Sequence, residues 1–229
     1  MTDTFIPYAR QSLSEDDIAA VVDVLRGNWL TQGPNIVAFE EAVAKRVGAD
    51  FGVAVATGTA ALHCACYAAG VGPGDNIITS PITFAASGNC ALYLGAEVKF
   101  ADIRPDTYCL DPEKLEAAIT PETKAIIPVD YTGQPCDINQ INEIANRHGI
   151  AVIQDSAHAL GAEYKSSPVG ALSDMSIFSF HPVKHIAMGE GGLVATNDEE
   201  LAARLRLFRT HGISNEPSMM QLQDQAADR

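Results

Sequence analysis

The sequence predicts an α/β domain built on a mostly parallel sheet with helices on both faces. Strand-like and helix-like segments alternate between residues 51 and 155, which is typical of repeated strand–helix–strand units. The strand-like segments at 125–130 and 151–155 are almost wholly apolar, as expected for strands that are covered on both sides. The chain has 229 residues and is 47% hydrophobic and 19% charged, which suffices for one domain with a sizeable core.

The composition also narrows the classes of partner. The chain has 15 basic and 29 acidic residues and a formal net charge of −14, so neither a nucleic acid nor an anionic membrane is expected as its main partner. No apolar run has the length of a transmembrane helix. Residues 1–10 lack the basic-then-apolar pattern of a signal peptide. We therefore expect a cytoplasmic protein.

The cysteines do not predict a disulfide framework or a metal site. They number five and are scattered along the chain, unlike the paired cysteines of a small secreted scaffold. Cys64 and Cys66 lie in a helical segment, where that spacing points two side chains about 200° apart. They therefore cannot hold one metal together, and we expect them to pack in the core.

Residues 1–35 predict one helix and a loop. Ser14 with Asp17 is close to a capping box, apolar residues follow at helical spacing, and Gly27 ends the helix. We expect a cofactor-binding large domain over residues 36–212, beginning with an amphipathic helix. Residues 213–229 are expected to form a polar tail.

The large domain is predicted to alternate strands with helices. Strands are expected at residues 51–56, 76–80, 97–102, 125–130, 151–155, 176–180 and 192–196, and helices at residues 36–47, 59–69, 84–94, 112–119, 138–148 and 198–209. Candidate site residues are expected at the ends of these strands, because open α/β sheets bind ligands at the carboxyl ends of their strands.

The first strand leads into a candidate anion site. Gly58, Thr59 and Ala60 open the helix that follows this strand. A glycine there allows close approach of a ligand to the backbone, and the free amides of a helix N-terminus favour a phosphate. The alternative is a threonine that only caps the helix.

Two later strand ends carry an aromatic ring and an acid. Phe84 follows the strand at 76–80; it is a candidate for covering a flat ring, or else packs the next helix onto the sheet. Asp155 ends a very apolar strand, where a carboxylate is costly unless it meets a cation or hydrogen-bond donors. A protonated ring nitrogen would satisfy it, although a helix-capping aspartate is the alternative. His158 follows three residues later and is either a ligand contact or a structural histidine.

A lysine follows the strand at 176–180. Pro182 has no N–H and so stops strand pairing, and Lys184 follows in a loop before the glycine-rich segment 189–192. Ser179 lies at the end of the same strand. This position suits a reactive lysine, whereas a surface lysine in a turn is the alternative.

Together these features match the chemistry of pyridoxal 5′-phosphate. The anion site would hold its phosphate, the aromatic ring would cover its pyridine, and the lysine would bond to its aldehyde as a Schiff base. An acid such as Asp155 would keep the pyridine nitrogen protonated, so that the ring can withdraw electrons. The joint occurrence of these features is more specific than any one of them.

The chain also resembles the DegT/DnrJ/EryC1/StrS sugar aminotransferases, which have the aspartate-aminotransferase-like fold (fold type I). The resemblance covers nearly all of residues 5–212. The matching segments are Gly33-Pro34, Phe39-Glu40, Gly58-Thr59-Ala60-Ala61-Leu62, Gly72-Pro73-Gly74-Asp75, Pro81-Ile82-Thr83-Phe84, Asp155-Ser156-Ala157-His158, Phe178-Ser179-Phe180, Lys184 and Gly189-Glu190-Gly191-Gly192.

The resemblance implies a function for each candidate residue. It makes Lys184 the residue that bonds to the cofactor and moves the proton, and Asp155 the partner of the ring nitrogen. It makes Phe84 the residue that stacks on the ring, and places His158 near the ring hydroxyl. The phosphate contacts that it implies are Gly58, Thr59 and Ser179.

Two positions differ from the residues that are most common in the family. Gln154 stands where Glu is frequent, and His158 stands where Gln is also common. Neither departure removes a catalytic group. The presence of Lys184 disfavours the dehydratase branch of the family, which has a histidine there.

Within the family, residues 180–185 are most similar to the transaminases that make UDP-4-amino-4,6-dideoxy-N-acetyl-β-L-altrosamine, on the pseudaminic acid route. This implies amino transfer from L-glutamate to C4 of a UDP-linked 4-keto-6-deoxy-N-acetylhexosamine. Family members are usually homodimers with a smaller C-terminal domain, which we expect to be missing here. The alternatives are another nucleotide keto-sugar as substrate, a non-catalytic fragment of the same fold, or another fold type I enzyme such as a desulfurase.

Overall fold

A computed structural model of the chain describes residues 5–7 and 9–214. The helices in this part are α1 Glu15–Arg26, α2 Pro34–Val47, α3 Gly58–Ala68, α4 Ala86–Leu92, α5 Pro112–Ala118, α6 Ile138–His148 and α7 Glu199–Arg209. The strands are β1 Phe51–Val55, β2 Asn76–Thr79, β3 Glu97–Phe100, β4 Thr123–Ile127, β5 Ala151–Asp155, β6 Glu163–Tyr164, β7 Ser167–Pro168, β8 Met175–Ser179 and β9 Gly192–Thr196.

The main sheet is mostly parallel, as predicted. It has seven strands in the order β1-β9-β8-β5-β4-β2-β3. The pairs β2·β3, β2·β4, β4·β5 and β5·β8 are parallel, whereas β9 is antiparallel to both β1 and β8. Consequently β1, β4, β5 and β8 all point the same way, and their carboxyl ends lie along one edge of the sheet.

Helices cover both faces of this sheet, which confirms the predicted α/β class. Ile126 and Ile127 are neighbours on β4 and belong to different core clusters, because successive side chains of a strand point to opposite faces. One cluster includes residues of α3, α4 and α7, and the other includes residues of α5 and α6. Cys64 and Cys66 pack in the first cluster, as predicted, and all five cysteines are buried and free.

The first helix begins where the capping box predicts. The Asp17 amide donates to Ser14 Oγ over 3.2 Å, and the Ser14 amide donates to Asp17 Oδ2 over 2.8 Å. No residue of α1 is buried. The second helix begins at Pro34 instead of residue 36, because proline fits the first turn of a helix, where its missing N–H costs nothing.

Several predicted boundaries shift for local reasons. The strand predicted at 125–130 ends at Ile127, because Pro128 has no N–H for further pairing. The helix predicted at 84–94 begins only at Ala86. The small hairpin of β6 and β7 was not predicted, because its turn uses Lys165 and Ser166 at φ values of 50° and 68°, without the glycine or asparagine that usually marks such a turn.

Two further findings concern the predicted extremities and the membrane. Residues 215–229 of the predicted polar tail lie outside the described residues. Within residues 5–7 and 9–214, none of the helices combines the length and the hydropathy that crossing a bilayer requires.

The glycine that begins β9 is fixed by a close approach of two backbones. A Cβ atom at Gly192 would lie 2.2 Å from the carbonyl oxygen of Thr57 and 2.8 Å from the amide nitrogen of Gly58. Gly192 also pairs with Val55 on one side and Ser179 on the other. The start of α3 can therefore reach the sheet only because this position has no side chain.

We expect Gly192→Ala to lower the free energy of unfolding by about 1–3 kcal/mol, since the methyl group forces the start of α3 away from β9. Urea unfolding followed by circular dichroism measures the change. Gly72→Ala is the matched control, because a Cβ atom at Gly72 meets nothing within 4 Å. Equal stability of Gly192→Ala and wild type would contradict the close packing described here.

Candidate functional site

The carboxyl edge of the sheet opens into one large cavity, at the position expected for ligand binding in an α/β sheet. Its volume is about 580 Å³, within the usual range for small-molecule sites. The residues that line it and that the sequence singled out are Gly58, Thr59, Phe84, Asp155, His158, Ser179 and Lys184. The fold thus brings together seven of the eight candidate residues, although they are far apart in the sequence.

One end of the cavity is the N-terminus of α3. Thr57 caps this helix, with its Oγ1 accepting a hydrogen bond of 3.0 Å from the Ala60 amide. Ala60 does not line the cavity. The amides of Gly58 and Thr59 lie in the first turn, where N–H groups have no acceptor within the helix. This end of the cavity therefore suits an anion.

Gly58 and Ser179 make the anion end compact. A Cβ atom at Gly58 would lie 2.9 Å from Ser179 Cβ and 3.1 Å from Ser179 Oγ, so the backbone of α3 rests directly on the end of β8. Ser179 and Thr59 are both half-buried and line the cavity. Their hydroxyl groups and the first amides of α3 form one group of donors, which matches the oxygen atoms of a phosphate.

Asp155 provides a buried carboxylate elsewhere in the cavity. The residue is only 5% exposed. Its Oδ2 accepts a hydrogen bond of 2.7 Å from Ser87 Oγ, and its Oδ1 accepts one of 3.2 Å from the Ala157 amide. Burial raises the pKa of this carboxyl, and the two hydrogen bonds oppose that change. Among the described residues Asp155 forms no ion pair, so a cationic N–H donor from a ligand would complete its environment.

A short chain of hydroxyl groups supports this carboxylate. Ser87 is fully buried, and its Oγ lies 2.7 Å from Thr83 Oγ1. Because the Ser87 hydroxyl proton is donated to Asp155, the remaining hydrogen bond requires Thr83 to be the donor. The sequence did not single out Ser87, since a serine within a helix carries no signal of its own.

Lys184 and His158 both line the cavity and contact each other. Lys184 Nζ lies 2.5 Å from His158 Nε2. Burial lowers the pKa of the Lys184 amine, and the Asp155 charge partly opposes this. Burial and then the Lys184 charge lower the pKa of His158. Both changes favour neutral groups, which can accept a proton and, for the amine, attack a carbonyl carbon.

Phe84 lies on the loop that precedes α4. Its side chain is 77% exposed although it lines the cavity. A ring that packed a helix onto the sheet would be covered, so the packing alternative does not describe Phe84. An exposed aromatic face beside the cavity is available to a flat ligand.

A second buried acid was missed by the sequence reading. Asp130 lines the cavity and is 1% exposed. It follows the apolar strand β4, which is the same signal that selected Asp155 on β5. Burial raises the pKa of Asp130 to about 6, hydrogen bonds from Cys136, Ser156 and Gln154 oppose the change, and the Asp155 charge adds to it.

The residue types at the site fit an organic phosphate better than a metal. Within the described ranges, no cluster of three or more His, Cys, Asp or Glu side chains is arranged to hold a metal ion. The cavity instead combines an anion end at α3, a buried carboxylate, an exposed phenyl ring and an amine of lowered pKa. These are the groups that pyridoxal 5′-phosphate requires.

Comparison with known proteins gives a family match over most of the chain. The model of the DegT/DnrJ/EryC1/StrS aminotransferase family matches residues 11–226. The spore coat polysaccharide biosynthesis protein SpsC from Bacillus subtilis (strain 168) is 45% identical over 210 residues, which cover 92% of this chain and 54% of SpsC. The chain spans about half the length of the curated relatives it matches.

Two solved structures show the same architecture. Helicobacter pylori PseC, described as an aminotransferase involved in the biosynthesis of pseudoaminic acid, is 36% identical, with a TM-score of 0.86 over 92% of this chain and 57% of PseC. Spr1654 from Streptococcus pneumoniae, solved in its PLP form, is 32% identical, with a TM-score of 0.88 over 92% of this chain and 59% of that protein.

The raised pKa of Asp130 predicts a pH dependence of stability. The folded state binds this proton more tightly than the unfolded state, so the contribution of Asp130 to stability is greatest below pH 3.8 and falls as pH rises through about 6. Between pH 4 and 7, we expect the free energy of unfolding of the wild type to fall by on the order of 3 kcal/mol relative to that of Asp130→Asn.

Urea unfolding at several pH values measures this difference, and Asp23→Asn on the exposed surface of α1 is the control. A constant difference between wild type and Asp130→Asn over this range would show that Asp130 does not take up a proton on folding.

Proposed function

The chain belongs to the DegT/DnrJ/EryC1/StrS aminotransferase family, and from that premise we propose that it is the cofactor-binding part of a pyridoxal-phosphate-dependent sugar aminotransferase. The observation that carries the proposal is that Asp155 and Lys184 line the same cavity as Gly58 and Thr59 at the N-terminus of α3. A buried carboxylate, a reactive amine and an anion site then address three different parts of one cofactor. We assign this function to residues 36–212, within a cytoplasmic protein.

Each end of the cofactor has candidate contacts. We propose that Gly58 and Thr59 at the start of α3, together with the Ser179 hydroxyl, hold the phosphate. Phe84 would cover the ring, and Asp155 would accept a hydrogen bond from the ring nitrogen. When bound, the cofactor supplies an aldehyde for amine chemistry and a ring that withdraws electrons from the reacting carbon.

Asp155 has to be ionised for this purpose. Its burial favours the neutral form, whereas the Ser87 hydroxyl and the Ala157 amide both favour the carboxylate. A ring N–H at the remaining open position of the carboxylate would add a third donor. Asp155 would in this way keep a proton on the ring nitrogen, because a buried carboxylate interacts strongly with a positive charge beside it.

Lys184 would move the proton during amino transfer. Its lowered pKa increases the fraction of neutral amine at Nζ, which is the form that accepts a proton or attacks a carbonyl carbon. His158 Nε2, at 2.5 Å, is close enough to exchange a proton with this amine. The Asp155 charge limits how far the pKa of the lysine falls, so the amine also retains the ability to return the proton.

For the substrate, we propose amino transfer from L-glutamate to C4 of a UDP-linked 4-keto-6-deoxy-N-acetylhexosamine, on a route of the pseudaminic acid type and in a homodimer. Residues 180–185 and the 36% identity to PseC support this choice. A different nucleotide keto-sugar is the nearest alternative. A non-catalytic interaction or regulatory fragment of the same fold is the second candidate function.

We expect pyridoxal 5′-phosphate and borohydride to leave a stable covalent adduct on Lys184, detectable by mass spectrometry of peptides. Lys184→Ala should lose this adduct, because the amine that bonds to the aldehyde is gone. Lys165→Ala, which removes an exposed lysine beside Tyr164, should retain it. An adduct that persists in the same cavity of Lys184→Ala would contradict the assignment.

Turnover separates the two candidate functions. With L-glutamate and the UDP-linked 4-keto sugar, we expect the chain to release 2-oxoglutarate and a 4-amino sugar, measured by chromatography and mass spectrometry. Lys184→Ala should lower this rate by at least about 1,000-fold. Cofactor binding without turnover would favour the non-catalytic fragment, and turnover of only a dTDP-linked keto sugar would favour the alternative substrate.

A further inference from the structure

Asp130 holds the residues on both sides of Asp155. Gln154 Nε2 donates to both carboxylate oxygens of Asp130, over 3.1 and 3.0 Å. Ser156 Oγ donates to Asp130 Oδ2 over 2.7 Å. All three side chains are at least 99% buried. The segment that carries Asp155 is thus tied to Asp130 immediately before and immediately after the acid.

Backbone contacts complete this attachment. The Asp130 amide donates to the Asp155 carbonyl oxygen over 3.0 Å, and the Asp155 amide donates to the Pro128 carbonyl oxygen over 2.8 Å. The Cys136 amide donates to Asp130 Oδ1 over 3.0 Å. Asp130 therefore connects the loop after β4 to the carboxyl end of β5, and a shift of Asp130 would move both.

We propose that Asp130 is a positioning residue, which fixes the carboxyl end of β5 through Gln154 and Ser156 and so places the Asp155 carboxylate against the cofactor ring. This inference rests on the proposed function, since it gives Asp155 a ring nitrogen to meet. Asp130 itself does not touch the cofactor in this proposal, because its two oxygen atoms already receive four hydrogen bonds.

The arrangement depends on which partner is the donor. Gln154 presents an NH₂ group to a carboxylate. A glutamate at this position would instead place two carboxylates within hydrogen-bond distance, and one of them would have to bind a proton. The double variant Asp130→Asn with Gln154→Glu moves the amide to position 130 and the carboxylate to position 154. It restores one donor and one acceptor, since the asparagine can donate to the glutamate.

The titratable groups around Asp130 come from three segments: the end of β5, the loop between β3 and α5, which carries Cys109, and the loop after β4, which carries Cys136. Asp155 lies at the end of β5, and its charge raises the pKa of Asp130. The thiols of Cys109 and Cys136 lie beside the loop after β4, and the Asp130 charge opposes the ionisation of each. Protonation of Asp130 removes acceptor capacity from the contacts to Gln154 and Ser156, so the placement of Asp155 should weaken as pH falls through about 6.

The test uses Asp130→Asn, Gln154→Glu and the double variant in the 229-residue chain. The probes are pyridoxal 5′-phosphate and 4′-deoxypyridoxine 5′-phosphate, which lacks the aldehyde and so reports binding without the lysine bond. We expect each single variant to bind the deoxy compound about 10-fold more weakly at pH 8 and the double variant to recover most of this loss, because contacting pairs couple by roughly a factor of ten.

A matched control separates positioning from general loosening of β5. Asp174 Oδ2 accepts a hydrogen bond of 2.7 Å from the Val152 amide, three residues before Asp155 on the same strand. Asp174→Asn should change stability in urea but leave the affinity for the deoxy compound unchanged. As pH falls through about 6, the affinity of the wild type for the deoxy compound should decrease more steeply than that of Asp130→Asn. The phosphate group of the probe titrates in both measurements, so it does not cause a difference between them.

Three outcomes would overturn the proposal. If Asp130→Asn is folded and binds the deoxy compound with the affinity and the pH profile of the wild type, then Asp130 does not place Asp155. Equal loss of affinity in Asp174→Asn shows a structural effect only. A folded wild type that binds neither compound removes the proposed function and the positioning proposal with it, whereas the first two outcomes leave the proposed function standing.

Discussion

The proposed chemistry of the site depends on keeping one carboxylate, that of Asp155, ionised inside the protein. Asp155 is buried at the end of β5, and burial by itself favours its neutral form. Hydrogen bonds from the Ser87 hydroxyl and the Ala157 amide oppose this most, and the charges of His158 and Lys184 add to their effect. Such a balance is costly for a fold and is usually kept where chemistry requires it. The cavity, the lysine and the helix N-terminus are arranged around that one group.

Much of this arrangement was accessible from the sequence, because the alternation of strands and helices places the end of each strand to within about three residues. Asp155 and Ser179 are the last residues of their strands, and parallel strands bring such positions to one edge without any further information. Phe84 could be named as a candidate but not assigned, since its sequence context fits packing as well as ring contact. Its 77% exposure is a property of the folded surface that no local pattern encodes.

The residues that the sequence reading missed act through partners far along the chain. Ser87, the second residue of α4, contacts Asp155, and Asp130 contacts Gln154 from the loop after the neighbouring strand β4. A serine within a helix carries no signal of its own. Asp130 follows an apolar strand as Asp155 does, but its pairing with Gln154 is visible only in the fold. The antiparallel direction of β9 was likewise hidden, because its apolar sequence suits either orientation. Gln154 stands where glutamate is frequent in the family, and its hydrogen bonds to Asp130 explain why an amide suits this position.

The position of β9 has a consequence for the order in which the protein is made. This strand separates β1 from β8 in the sheet, yet it is the last strand of the described chain. On the ribosome, β1 emerges long before the strand that joins it to the rest of the sheet, so it must wait with an unpaired edge. The helix that follows β1 can pack against Gly192 only afterwards, so the part of the cavity at the start of α3 forms late in the synthesis of the described chain.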